Sequence, residues 1–319
     1  MKKTYKFISH IPKQNENIYY SERCGKSYIF LTLNRYQVVW SMRKKIAFGW
    51  YGGKYSHLDW LLPLLPYTKH YCEPFGGSAA VLLNRFPSPV ETYNDIDKEL
   101  VNFFFVLRNH KEELIEKIGL TPFSRFELEN ALEVLPDDSN VERARKFFVR
   151  ARQVRSGLAQ TASSGRWPYC KLTSRGGMGG AVSRWLGSVD KLPDIAQRLL
   201  RVQIECDSAI HVILRYDSPD TLFYCDPPYP HESRGDNKAY AYEMSDDDHR
   251  ELAKVLNSVQ GKVALSCYRC NIIEELYPEG KWYYTEEEEK LCHSIKKPRR
   301  ELLVTNYDPF EISLMTKYD

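Results

Sequence analysis

The amino-acid sequence predicts a doubly wound α/β sheet interrupted by an inserted, mainly helical segment. Three observations carry this expectation. Short β-rich runs that break off at Gly, Pro or acidic turns alternate with helical patterns between residues 46 and 109. Strand-like runs resume near residue 202 and continue almost to the end of the chain. Between them, residues 110–204 show helical patterns and polar loops.

In order, residues 1–45 form an N-terminal extension of no assignable role, whose β-rich runs at 28–33 and 38–40 suit a short hairpin. Gly52-Gly53-Lys54 precedes a helical pattern over 55–65. A strand at 71–73 ends at Pro74-Phe75-Gly76-Gly77-Ser78, and a helix follows over 79–85. A second strand over 89–93 ends at Asn94-Asp95-Ile96-Asp97, before a helix over 98–109. Later strands are expected at 202–205, 221–225, 262–266 and 301–306. A helix at 245–257 opens with Ser245 and three carboxylates, as N-capping and the helix dipole favour. The expected organisation is a core built from 46–109 and 205–319, with 110–204 inserted in it.

Bulk properties exclude several classes. At 43% hydrophobic and 27% charged, the 319 residues have the composition of a soluble globular protein. No apolar stretch approaches the roughly 20 residues that span a bilayer. The eight cysteines (24, 72, 170, 206, 225, 267, 270, 292) form no repeated framework, and the first residues are polar and basic. Reduced thiols in a cytoplasmic protein are expected. Net charge is only +3, but residues 143–184 hold ten Lys or Arg and no Asp or Glu. A basic segment in a nearly neutral chain points to a local polyanion site.

The sharpest chemical signal is Asp226-Pro227-Pro228-Tyr229, where the apolar run 222–225 ends in an acid, two prolines and an aromatic. The prolines stiffen the exit from the strand, and ligands of open α/β sheets bind past the carboxyl ends of strands. Alone, these residues read equally well as a surface turn. As a site, they suit an exocyclic amine whose lone pair is delocalised into a ring. The Asp226 carboxylate and the Pro227 carbonyl can each accept one N–H, and Tyr229 can stack on a flat base. Gly76 and Gly77 would let backbone pass close to a nucleotide-like ligand. Asp95 lies about 20 residues further on, where an acid can bind ribose hydroxyls, or simply cap the next helix.

Taken with Gly49-Trp50-Tyr51-Gly52-Gly53-Lys54-Tyr55 and Glu73-Pro74-Phe75-Gly76-Gly77-Ser78-Ala79-Ala80, these residues resemble the Dam-type (D12 class) DNA adenine N6-methyltransferases. The resemblance covers roughly 46–108 and 202–307 and follows the family's motif order. It implies a Rossmann-like S-adenosylmethionine-dependent methyltransferase sheet with an inserted DNA-recognition domain. It further implies catalysis by Asp226, Pro227, Pro228 and Tyr229, acting on adenine flipped out of double-stranded DNA. Cofactor contacts are implied for Trp50, Lys54, Glu73, Phe75, Gly76, Gly77, Asp95, Ile96, Asp207 and Asp226. Within that set, Lys54 would reach the methionine carboxylate, and Asp207 (or alternatively Glu205) would meet the adenine ring.

The insertion is the natural place for DNA contacts, expected from Arg150, Arg152, Arg155, Arg166, Lys171 and Arg175, with Arg234 and Lys238 after the catalytic loop. The competing reading is a solvated basic helix face over buried Phe147 and Phe148. Cys267, Cys270, Cys292 and His293 are zinc-ligand types without a second short-spaced pair, so no metal is expected. Residues 286–289 read as a solvated charged turn. Two other activities share the loop chemistry, methylation of RNA adenine and of cytosine N4. A catalytically inactive DNA-binding homologue is the non-enzymatic alternative.

Overall fold

A computed structural model describes residues 44–155, 159, 162–234, 241–287 and 300–311, together with two short backbone hairpins near the N-terminus, Arg23–Cys24 with Ser27–Tyr28 and Leu33–Asn34 with Gln37–Val38. The core is a seven-stranded sheet: β1 (His70–Glu73), β2 (Val90–Asn94), β3 (Gln203–Glu205), β4 (Thr221–Cys225), β5 (Lys262–Cys267), β6 (Tyr283–Glu286) and β7 (Leu302–Thr305). Their order is β6-β7-β5-β4-β1-β2-β3. β5, β4, β1, β2 and β3 run parallel, while β7 lies antiparallel between β5 and β6. This is the expected doubly wound, Rossmann-like sheet. Chain order reverses between the neighbours β1 and β4, so their carboxyl ends open a crevice at the switch point.

All five residues of β4 are buried, as a strand covered on both faces requires. The two-residue period sends neighbours to opposite faces. Leu222 and Tyr224 join one apolar cluster, and Phe223 and Cys225 join the other. Helices α9 (Ala209–Tyr216), α10 (Asp246–Leu256) and α11 (Asn271–Leu276) cover the second face through Ile213, Leu252 and Ile273. Ser245 and Asp248 close a capping box on α10, as the sequence suggests.

The first face carries α3 (Lys98–Asn109) and the helices of the inserted segment: α4 (Lys111–Leu120), α5 (Arg125–Leu132), α6 (Asn140–Arg152), α7 (Gly180–Val189) and α8 (Leu192–Leu199). Phe103 of α3 stacks on Phe148 of α6 at 5.6 Å and meets Phe48 edge-on at 5.3 Å. Phe148 continues to Trp185 of α7 at 5.5 Å. One apolar cluster therefore runs from the sheet through the insertion. The boundary expected at residue 110 separates chain segments, but the two sides share a core.

Three local expectations are corrected. The helix expected at 55–65 is only α1 (Leu58–Leu61) between two 3₁₀ turns, because Pro63 cannot continue an α-helix. The charged run at 286–289 is partly strand: Glu286 closes β6, and Glu287 is buried. Helix α9, only eight residues long, and edge strand β6 were not expected.

The end of the insertion is clamped to the sheet by a buried carboxylate. Glu91 of β2 accepts Arg198 Nη1 at 2.5 Å and Nη2 at 2.7 Å, with Arg85 3.7 Å away. Removing one partner strands a buried charge. Arg198→Ala should therefore cost about 3–5 kcal/mol in urea unfolding; a loss below about 1 kcal/mol would show that the clamp is not what secures α8.

Candidate active site

Three strand ends build the crevice. After β1 the chain turns at Gly76 and Gly77, and neither position has room for a side chain. A Cβ on Gly76 would sit 2.2 Å from the Tyr93 ring. One on Gly77, at φ +49°, would sit 2.8 Å from the Trp50 indole. The Gly76 N–H donates to the Asn94 carbonyl at 2.7 Å, and the Tyr93 hydroxyl donates to the Gly77 carbonyl at 2.8 Å. After β2, the Asp95 carboxylate accepts the Gly77 N–H and the Asp97 N–H, both at 2.9 Å. The cap of α3 is Asp97, which accepts from Glu99 and Leu100. Asp95 is thus left to face the turn, and burial pushes its carboxyl up to about 6.

Asn94, which sequence reasoning passed over, ties the three ends together. Its side-chain nitrogen donates to the carbonyls of Pro74 at 2.8 Å and Asp207 at 3.0 Å, and its side-chain oxygen accepts the Asp207 N–H at 2.9 Å. Asp207 follows β3. Its carboxylate accepts the Ser208 N–H at 2.7 Å, Arg215 at 2.9 Å and His211 at 3.2 Å, contacts that hold it below the ordinary carboxylate range.

A cavity of about 320 Å³ lies in the crevice, and all ten residues expected at a cofactor line it: Trp50, Lys54, Glu73, Phe75, Gly76, Gly77, Asp95, Ile96, Asp207 and Asp226. Glu205, the alternative to Asp207, instead takes the Tyr216 hydroxyl at 2.6 Å. Burial pushes the Glu73 carboxyl up to about 8 against the Tyr71 hydroxyl, which donates to it at 2.6 Å. Tyr224 and Leu252 also line the cavity and were missed, because single apolar residues on buried faces carry no sequence signal of their own; exposed Tyr242 and half-buried Met244 line it as well.

At the end of β4, Asp226 and Pro228 line the cavity, while Pro227 and Tyr229 are buried. Lys54 is 3% exposed and donates to both Asp226 oxygens, at 2.7 and 2.9 Å, and to the Gly52 carbonyl at 2.6 Å. Lys54, expected to reach a cofactor carboxylate, lines the cavity and gives its ammonium to the Asp226 carboxylate. Burial raises the Asp226 carboxyl to about 6; the Lys54 ammonium works against that shift and Glu301 adds to it. Tyr229 does not present an open ring. Its hydroxyl donates to buried Glu301, its ring lies 5.0 Å from the Lys54 ammonium, and Tyr268 meets it edge-on at 4.8 Å.

The residues expected at DNA divide sharply. Arg150 is buried and donates to the Ala131 carbonyl at 2.7 Å. Arg234 is buried against Glu243 at 2.5 Å, and half-buried Arg152 reaches the Arg184 carbonyl at 3.4 Å. Arg150 and Arg234 are corrections, since a guanidinium used inside the fold is not offered to phosphate; Arg152 is only half-buried. Their helix neighbours follow suit: Arg143 pairs with Glu99, Arg145 with Glu127 and Glu142, and Lys146 with Asp138. The sequence segment lacks acids, but other segments supply them in space. Arg155, Arg166, Lys171 and Arg175 are exposed. Lys238, Cys292 and His293 lie outside the described residues. Among the described residues no cluster of three or more metal-ligating side chains occurs, and no helix is long and apolar enough to cross a membrane.

The chain resembles known proteins in sequence. The chain is 27% identical over 227 residues to the DNA adenine methylase of Vibrio cholerae serotype O1, covering 67% of this chain and 76% of that protein. It is 27% identical over 285 residues to the Type II methyltransferase M1.LlaDCHI of Lactococcus lactis subsp. cremoris, covering 81% and 94%. A SAM dependent methyltransferase from Agrobacterium tumefaciens aligns in structure at 10% identity and a TM-score of 0.35, over 94% of this chain and 73% of that one. The sequence profile of the D12 class N6 adenine-specific DNA methyltransferase family matches residues 50–291. Since that match spans well over half of its length, the chain belongs to the D12 class and is an enzyme that methylates the N6 amino group of adenine in DNA.

Proposed function

We propose that the cavity binds S-adenosylmethionine and that the Asp226 loop receives an adenine flipped out of double-stranded DNA. One observation carries this reading. A buried carboxylate at the end of β4 shares a single cavity with a glycine turn too tight for any side chain and with two further acids placed by β2 and β3. The residues suit the cofactor. Gly76 and Gly77 put backbone instead of side chains at the cavity wall, and Asp95 and Asp207 are acceptors for ribose and adenine hydrogens. Glu73 and Asp226 also suit a cationic ligand. A cavity of about 320 Å³ is within the usual range for small-molecule sites. Bound there, the cofactor would supply an activated methyl group on a good leaving group.

The protein's own task is to make the adenine amine nucleophilic. As a carboxylate, Asp226 accepts one N–H and the Pro227 carbonyl accepts the other. The nitrogen is drawn out of conjugation and its lone pair turned toward the cavity. A base within a duplex cannot reach this position, so the target is extruded at a cost of a few kcal/mol. Residues 110–204 then act as the target-recognition unit. Their exposed part is a hairpin in which Ser174–Arg175 pairs with Met178–Gly179 across Gly176-Gly177, both at positive φ as a tight two-residue turn demands. Arg155, held 5.5 Å over the Tyr169 ring, together with Arg166, Lys171 and Arg175, supplies the exposed positive charge. Acting on DNA, the enzyme would work in the cytoplasm.

Three outcomes test this. Asp226→Ala should lower kcat by about 10²–10³-fold, the scale of a lost transition-state hydrogen bond. Full activity would remove Asp226 from the chemistry. Because the Asp226 carboxyl titrates at about 6 and must be ionised to accept an N–H, kcat should fall as the pH drops through about 6. An acid limb near 4 would mean that burial does not tune this group. For DNA, Lys171→Ala and Arg175→Ala should each flatten the dependence of log affinity on log salt by about one. Arg150→Ala should leave that slope unchanged and lower the melting temperature instead.

A further inference from the structure

Glu301 opens the last strand segment and touches nothing in the cavity, yet it is 5% exposed. A buried carboxylate persists only when other groups satisfy it. Its partners belong to the two halves of the site: the Tyr229 hydroxyl donates to it, and the Lys54 ammonium lies 3.4 Å away while also holding Asp226 at 2.7 Å. Its own carbonyl accepts the Glu287 N–H at 2.9 Å, which fixes its backbone to the end of β6. One carboxylate thus grips the aromatic of the catalytic loop and the lysine of the Gly52–Lys54 turn.

Given the reading of Asp226 as the hydrogen-bond acceptor, we propose that Glu301 is the positioning residue of this reaction, drawing the Lys54 ammonium partly off Asp226 and anchoring the loop through the Tyr229 hydroxyl. Two carboxylates share one ammonium, so the site keeps a surplus negative charge. That surplus opposes the positive charge that develops on the amine nitrogen. Without Glu301, the ammonium rests wholly on Asp226 and competes with the amine for the same lone pairs. The other titratable groups facing this cluster are Glu73 from β1, Tyr224 from β4 and Cys267 from β5, with the Glu287–His57 pair beyond β6. Removing the Glu301 charge should therefore make Asp226 easier to ionise, because that charge now holds its carboxyl up.

Glu301→Gln separates charge from shape, since the amide oxygen still accepts the Tyr229 hydroxyl. We expect kcat at neutral pH to fall about tenfold or more, the lower end of what a lost preorganising electrostatic contact costs. KM for cofactor and DNA should stay within about threefold, and the acid limb of kcat should move below its wild-type position. A residue that merely holds the fold would not move that limb. Tyr229→Phe keeps the charge and cuts the tether, so kcat should fall with the limb unmoved. Glu301→Asp, which keeps the charge but shortens its reach, should behave like Tyr229→Phe and serves if the Gln variant does not fold. Wild-type kcat and an unmoved limb in a folded Glu301→Gln enzyme would overturn the proposal, as would full activity in Glu301→Asp. Asp226→Ala tells this failure from a wider one. If that variant is active, the loop reading itself falls; if it is inactive while Glu301→Gln is normal, only the role of Glu301 falls.

Discussion

The site depends on one contact, the buried ion pair between Lys54 and Asp226. It joins chain segments 172 residues apart across the switch point of the sheet. A lysine this deeply buried needs full compensation, because desolvating an ammonium costs several kcal/mol. It finds that compensation in two carboxylates and the Gly52 carbonyl. The pair also constrains the chemistry. Burial alone would leave Asp226 protonated over much of the working pH range, and a protonated acid would lose the acceptor strength that the adenine amine needs. The lysine pulls its titration back toward neutrality's acid side, to about 6.

The cofactor half is held by a different principle, exclusion of side chains. Tyr93 and Trp50 occupy the space that Cβ atoms on Gly76 and Gly77 would need, so the turn is clamped between two rings. Asn94 fastens this turn to Asp207 through backbone groups on both sides. Every polar group in this region is therefore doubly used, once to close the fold and once to shape the cavity. Such saturation accounts for the close spacing of three strand ends that differ widely in chain position.

Features that depend on local chain geometry were legible in the sequence. Gly76-Gly77, Asp226-Pro227-Pro228 and the Ser245 cap announce themselves because the backbone demands particular residues there. All ten residues expected at the cofactor line one cavity, and apart from Trp50 and Lys54 they sit at or just past strand ends, where a change in residue pattern marks the position. Features decided by distant partners were not legible. Glu301 is one acid beside a basic run, and only the fold brings it to Tyr229 and Lys54. Arg150 looked like a phosphate ligand because the acids and carbonyls that occupy such groups lie elsewhere in the chain. For Lys54 the reach toward the cavity was legible, and the neighbour 172 residues away was not.

The shared core gives the insertion a mechanical connection to the cofactor cavity. Phe147 of α6 packs against the Trp50 indole at 6.4 Å, and that indole closes on the Gly77 turn. Phe48 and Phe103 back the same aromatic group at 5.3–6.0 Å. Close-packed rings transmit displacement because they have no voids to absorb it. A displacement of α6 is therefore felt at the wall of the cavity through two ring contacts. By contrast, the exposed hairpin at 174–179 has no ring contact of this kind, and its two turn glycines face open space. The insertion thus has two unlike parts: a solvent-exposed hairpin, and a buried base packed in register with Trp50.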